Sequence, residues 1–117
     1  MKARLESRGP SEVWLAVEND TEADAQFQAV KIIVRWEALE RAGAWKPYAM
    51  FLGPGMTFRL EITNLLRQAV KNELPGLPAE KFLEFVAELF AGTDGTVRST
   101  SLRLKYEGAN GSFAPLA

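Results

Sequence analysis

Cysteine and histidine are both absent from the 117 residues. Without cysteine there is no disulfide, no thiolate nucleophile and no thiolate metal ligand. Without histidine the usual general base and the commonest zinc or copper ligand are missing. Most familiar hydrolytic and metal-dependent chemistries lose a central participant, so the expectation is a non-enzyme with no metal and no other cofactor. A basic excess is missing too: 14 Lys and Arg stand against 15 Asp and Glu, for a net charge of -1. That balance argues against nucleic acid as a partner, because phosphate binding needs a concentration of cations. No apolar run approaches the roughly 20 residues of a membrane span, so membrane insertion by this chain is not expected. The opening MKARLESRGP is charged and lacks the apolar segment of a signal peptide. A full-length chain with that start is expected in the cytoplasm, and an excised domain outside it.

What is present suits one domain over residues 1–117, with 47% apolar and 25% charged residues, close to the soluble globular average. The organising stretch runs from Glu12 to Glu37. Val13, Leu15 and Val17 alternate with Trp14, Ala16 and Glu18; Val30, Ile32, Val34 and Trp36 alternate with Lys31, Ile33, Arg35 and Glu37. That period of two is the signature of half-buried strands, and a helix would scatter the charges instead. The acidic bridge from Asn19 to Gln26 reads as a solvated turn joining a strand pair, which needs a lid from the rest of the chain.

Elsewhere, Ala3 to Glu6 reads as a short edge strand, and Arg8-Gly9-Pro10-Ser11 as a turn. The charge-rich ALERAG is expected to end the strand at Trp36. Ala44 to Phe51 contains Pro47, which has no N–H for a ladder, so it is an edge strand or an ordered loop. Leu52-Gly53-Pro54-Gly55 is a tight turn, followed by a strand with Met56, Phe58, Leu60 and Ile62 inward. From Asn64 the period lengthens, predicting a short helix near residues 64–73. Residues 78–91 fit either period. Alanine, glutamate and leucine favour a helix, whereas Thr93-Asp94-Gly95 and the alternating strand to Tyr106 favour a hairpin. The tail over 108–117 is expected to be loose. About seven short strands with turns between them indicate a mainly β, two-sheet antiparallel sandwich with one short helix; the alternative is an α+β fold with a second helix at 78–91.

Val17-Glu18-Asn19, the polar turn and Ala25 together resemble the V-x-N…A signature of bacterial immunoglobulin-like domains of the cell-adhesion-related kind. Leu52-Gly53-Pro54-Gly55 is similar to the L-x-P-G turn of such domains, and Phe85 to Tyr106 looks like their closing hairpin, with Trp36 placed as a core aromatic. The helix-like insertion and the long ALERAGAWKPYAMF connection are departures from that pattern. The resemblance implies an immunoglobulin-like sandwich without shared catalytic residues, serving as a spacer or interaction module, often within a larger envelope protein.

Candidate site residues follow from exposure. Trp14 lies opposite Leu15 and Val17, and with outward Ile33 it is expected to form an apolar spot for self-association or a protein partner. Trp45 and Tyr48, beside Met50 and Phe51, form an edge segment that reads as core rim, as a recognition patch, or as stacking surfaces of a small-ligand or carbohydrate-binding sandwich. Glu18, Asp20, Glu22 and Asp24 count enough oxygens for calcium, but no glycine shapes the loop, and a solvated turn is the simpler reading. Lys31, Arg35, Arg59, Arg103 and Lys105 point outward, with acidic neighbours that suggest cross-strand pairing. Asn19-Asp20-Thr21 and Asn110-Gly111-Ser112 match the glycosylation pattern. The leading expectation is a non-catalytic protein–protein interaction or spacer module.

Overall fold

The computed structural model describes residues 1–8, 11–76, 80–92, 95–108 and 111–115. Two antiparallel sheets and one helix account for them. The smaller sheet has the order β1 (Lys2–Arg8), β2 (Glu12–Glu18), β6 (Thr57–Glu61). The larger is seven-stranded, with β10 (Ser112–Pro115), β9 (Leu102–Glu107), β7 (Glu80–Phe90), β3 (Ala25–Trp36) and β4 (Leu39–Ala42) in order. In addition β5 (Lys46–Leu52) pairs with β3 and β8 (Thr96–Arg98) with β7. The alternation read from sequence sets the inner faces. Val13, Leu15 and Val17 of β2 meet Phe27, Val30, Ile32 and Val34 of β3 and Leu83, Phe85, Ala87 and Leu89 of β7 in one buried core.

The chain crosses between sheets at the acidic turn. β2 pairs with β1 and β6, and β3 with β4, β5 and β7. The organising strands are therefore stacked face to face rather than paired side by side, which corrects the strand-pair reading. Period-two alternation identifies an apolar face but is silent on whether its cover is a neighbour in the same sheet or the opposite sheet.

Asn19 makes this crossing possible. It is 0% exposed, and its side-chain amide donates to the carbonyls of Ala23 (2.8 Å) and Leu52 (3.0 Å). Its Oδ1 accepts from the Thr21 amide (3.0 Å) and hydroxyl (2.6 Å). Its backbone N–H donates to the Met56 carbonyl and its own carbonyl accepts from Gly55. Gly55 sits at φ 76°, a conformation that glycine adopts without a Cβ penalty. The two turns quoted for the family resemblance are thus locked to each other through one buried amide. The glycosylation pattern at Asn19 is occluded in this fold, since its nitrogen is buried and twice hydrogen-bonded.

The helix α1 (Thr63–Glu73) follows β6. It buries Leu66, Ala69 and Val70 against the inner face of the larger sheet, so it extends the layer formed by the smaller sheet. Its first residue is held by β2: the Val13 amide donates to the Thr63 hydroxyl at 2.9 Å. The ambiguous stretch is strand β7 over Glu80–Phe90, not a second helix. Its outer face mixes Phe82, Val86 and Phe90 with Glu84 and Glu88, so both faces of the strand are rich in apolar residues and the alternation is blurred. Pro78, Gly9-Pro10, Thr93-Asp94 and Asn110 lie outside the described residues.

Four further expectations are corrected. The tail is not loose over 112–115: β10 pairs with β9, and Phe113 is 2% exposed, edge-on to Phe85 at 5.5 Å between ring centres. One aromatic anchor in a polar, glycine-bearing segment was enough to order it. The strand does end at Trp36, as expected, but the ALERAG stretch is not a plain connection: after a turn in which Glu37 adopts φ 54° it holds β4. Met56 is exposed, not inward, with its sulfur 3.3 Å from the Gly53 amide. Asn19, taken as part of a solvated turn, is fully buried.

Replacing Asn19 with alanine or aspartate is expected to destabilise the domain by about 3 kcal/mol, since either leaves buried carbonyls without a donor. The urea midpoint should fall with an unchanged slope; a midpoint within error of the wild type would remove Asn19 from this role. Phe113→Ala is expected to cost about 3–5 kcal/mol, whereas a loose tail would register almost nothing in the same measurement.

Candidate functional site

The outer face of the larger sheet carries the exposed aromatic side chains. Strand β7 presents Phe82, Glu84, Val86, Glu88 and Phe90 there, opposite its inner set. Phe82 is 55% exposed, Phe90 and Trp45 37% each, and Phe51 60%. Trp45 precedes β5, in the break between β4 and β5. Its ring meets Phe90 of β7 at 5.6 Å between centres, tilted by 54°. The contact spans β3, where Ala29 pairs with Pro47 on one side and Phe90 on the other. An alanine at that crossing leaves little side chain between the two rings. Lys31 Nζ lies 4.6 Å from the Trp45 ring centre, within cation–π range. Phe51, paired with Gln26, borders a shallow depression of about 420 Å³ shared with Gln28, Ala91 and Gly92. At the far end of β7, Phe82 borders a second depression of about 270 Å³ with Arg35, Glu37, Glu84 and Arg103.

Between the two ends runs a lattice of ion pairs. Arg35 contacts Glu40 at 2.6 Å and Glu84 at 2.7 Å. Glu88 accepts from Arg98 at 3.1 Å and faces Lys31 at 3.7 Å. Each pair joins neighbouring strands, as cross-strand charge complementarity requires. The hydrogen bond from Arg35 is the main cause holding the Glu40 carboxyl below the ordinary glutamate range, with the guanidinium charge adding to it.

Ile33 sits within this lattice and is 4% exposed, which corrects the expectation of an outward apolar spot. It pairs with Val86 and Ala42, and its neighbours along the strands are Lys31, Arg35, Glu84 and Glu88. Alternation assigned its face properly, but long charged side chains lay their methylene stems across aliphatic neighbours. Trp14 and Ile33 do not form one surface, because they occupy the outer faces of different sheets. Trp14 is half-buried between Glu6 and Glu61, with Arg8 5.8 Å from its ring centre. Its indole N–H is buried with no hydrogen-bond partner among the described residues.

Trp45 and Tyr48 are likewise separated. Tyr48 faces inward and meets Phe58 of the smaller sheet edge-on at 6.0 Å, closing the sandwich at its rim. Of the four residues singled out from sequence, Trp45 alone joins the aromatic cluster. Phe90, Phe82 and the exposure of Phe51 were missed. The alternation of Phe82, Glu84, Val86, Glu88 and Phe90 was the available signal, masked by the helical period in the same residues.

The acidic turn is used internally. Asp20 pairs with the N-terminal amine, and no group of three or more His, Cys, Asp or Glu among the described residues is arranged to hold a metal. No helix among them is long and apolar enough to cross a membrane.

Fold and surface together define a mainly β, two-sheet antiparallel domain with one short helix and an aromatic-tipped outer face. No family model and no curated protein matches the chain. A crystal structure of a protein from Archaeoglobus fulgidus is similar over 91% of this chain and 93% of its own, at 11% identity and a TM-score of 0.44.

Ile33→Ala is expected to cost about 2–5 kcal/mol as a buried truncation, while Phe51→Ser at the exposed tip should stay within about 0.5 kcal/mol. Equal, small effects at both positions in urea unfolding would refute the covered-lattice description. The Glu40–Arg35 pair has a definite pH signature. A carboxyl with a lowered folded-state pKa contributes above its unfolded value and loses that contribution as pH falls through the folded value. NMR titration should therefore place the Glu40 midpoint below that in an Arg35→Gln variant; coincident midpoints would exclude the pairing in solution.

Proposed function

We propose that this domain is a non-catalytic protein–protein interaction module whose contact surface is the outer face of the larger sheet at its Trp45–Phe51–Phe90 end. The observation that carries the reading is the placing of three exposed aromatic side chains at one end of a face whose central carboxylates, Glu40, Glu84 and Glu88, are paired. Large rigid aromatics surrounded by polar residues are the usual anchors of protein interfaces, and singly scattered apolar residues are not. The carboxylates of the central lattice, Glu40, Glu84 and Glu88, are each held by Arg35, Arg98 or Lys31. Their engagement supports a structural role for these charges over acid–base chemistry.

The immunoglobulin-like kinship belongs to the same proposal. Strands β1, β2 and β6 in one sheet, with β3, β7 and β9 in the other, match the partition of the first, second and fifth strands from the third, sixth and seventh. A carbohydrate platform built on Trp45 and Tyr48 has less support, because the two rings face opposite sides of the sheet and Lys31 already covers part of Trp45.

A Trp45→Asp/Phe51→Asp double variant tests the reading. In sedimentation across a concentration series, and as bait for proteins of its native host, wild type is expected to self-associate or retain a specific protein, and the double variant to lose it with thermal stability intact. A Trp14→Ala variant on the opposite face should keep wild-type association. Identical association by wild type and double variant would discard this face as the contact surface.

A further inference from the structure

A groove lies between α1 and the broken edge of the larger sheet; Lys31, Ala44 and Lys46 line it beside Trp45, but no aromatic side chain does. Along β3, Val30 pairs with Lys46 of β5 and Ile33 with Ala42 of β4. Residues 43–45 between them belong to neither strand, and the Gly43 amide donates to the Ile32 carbonyl at 2.9 Å. Behind this gap is a cavity of about 70 Å³ lined by Val30, Ile32 and Ala69, with Gln68 and Asn72 on its helix wall. Past Glu73 it meets a depression of about 170 Å³ at Trp36, Leu39 and Arg41. Glu73 lines both.

Three features specify what fits. The cavity is small, about 70 Å³ against the roughly 150 Å³ of a cavity that takes up benzene, and so suits a short aliphatic side chain better than a ring. Gln68 and Asn72 are four residues apart, so they stand side by side on the helix. Each carboxamide both donates and accepts, as a peptide group does, and neither has a partner among the described residues. The rim is net positive: Lys46 and Arg41 have no carboxylate partner among the described residues and face one acid, Glu73. Their pairing with Val30 and Val34 separates them by four residues of strand, or about 13 Å at a rise of about 3.3 Å per residue. An extended peptide has the same rise and places every second side chain on one face.

We propose that this groove binds an extended peptide segment of a partner protein of the form acid-x-Val-x-acid, with the valine in the cavity, its backbone on Gln68 and Asn72, and the two carboxylates at Lys46 and Arg41. The proposal stands apart from the aromatic face and does not depend on it.

The test is an amide NMR titration of the full chain with acetyl-Gly-Asp-Gly-Val-Gly-Asp-Gly-amide. Saturable shifts are expected at Gly43, Ala44, Gln68 and Asn72, with a dissociation constant of about 1 mM or tighter. Replacing both aspartates of the peptide with lysine should weaken binding at least about tenfold, since like charges then meet at the rim. Ala69→Leu, which fills the cavity, should abolish the shifts. Lys46→Glu, at an exposed position, should do so too, and it serves if the core variant fails to fold. Absence of saturable shifts in the groove, equal binding of the acidic and basic peptides, or shifts confined to Trp45, Phe51 and Phe90 would each overturn the proposal. The last result would instead favour the aromatic face.

Discussion

A chain that passes from one sheet to another must leave the hydrogen-bond ladders, and the backbone groups freed there are buried. In this domain that constraint is met by two small polar side chains, and a third meets the same need at a break within the larger sheet. Asn19 ties the β2–β3 turn to the β5–β6 turn, Thr63 ties the start of α1 to Val13, and Ser99 bridges the break between β8 and β9. Ser99 accepts from the Ala87 amide at 2.8 Å through its hydroxyl and donates its own amide to the Ala87 carbonyl at 2.8 Å. The next residue, Thr100, donates to the Ala3 carbonyl of the smaller sheet. All three pins are buried. Asn19 and Thr63 replace ladder partners where the chain leaves a sheet, and Ser99 does so at a break within the larger one; a buried amide left unsatisfied at any of them would cost about 1–3 kcal/mol. The stacked core of Leu15, Phe27, Phe85 and Leu104 closes between these satisfied corners.

The mainly β character, the helix near 64–73 and the inner faces of β2, β3 and β9 were legible in the sequence because each rests on a local period. Sheet membership was not. Nothing in Val13–Val17 or Val30–Trp36 distinguishes a strand beside from a strand opposite. Asn19 illustrates the limit from another side. Its residue type and its turn context announced solvent exposure, and its burial arises from Leu52, Gly55 and Met56, more than thirty positions away. The candidate site was legible at Trp45 and obscure elsewhere. Ile33 was placed on its proper face, but the cover over it depends on Arg35, Glu40, Glu84, Glu88 and Arg98 meeting from four strands. Tyr48 and Trp45 lie close in sequence, yet the strand begins between them, and the pleat then sends Tyr48 inward.

The outer face of the larger sheet divides its surface chemistry by position. Over the centre, Ile33 and Val86 are sealed by paired charges, so that region is already satisfied and offers a partner little unmet polarity. At the Trp45 end the sealing stops. Lys31 alone reaches over the Trp45 ring, Gln26 and Gln28 replace charged residues, and Phe51 projects into solvent. A partner docking there would displace water from aromatic carbon without separating ion pairs, which avoids the desolvation penalty that paired charges would impose. The division supports an end-on contact over a contact spread along the whole face.

Edge protection reinforces that preference. An exposed strand edge is a template for pairing with any extended chain, and the larger sheet has a long one at β4 and β5. The edge is interrupted by the break at 43–45, carries Pro47 without an amide hydrogen, and is flanked by Arg41 and Lys46. These features deny a second β-strand a continuous row of donors and acceptors. They also create the gap through which the inner face of β3 meets α1. The interruption that guards the sheet against indiscriminate pairing is thus the same one that opens the groove. Recognition there would rest on side-chain amides and one small cavity, which are selective, in place of a bare backbone edge, which is not.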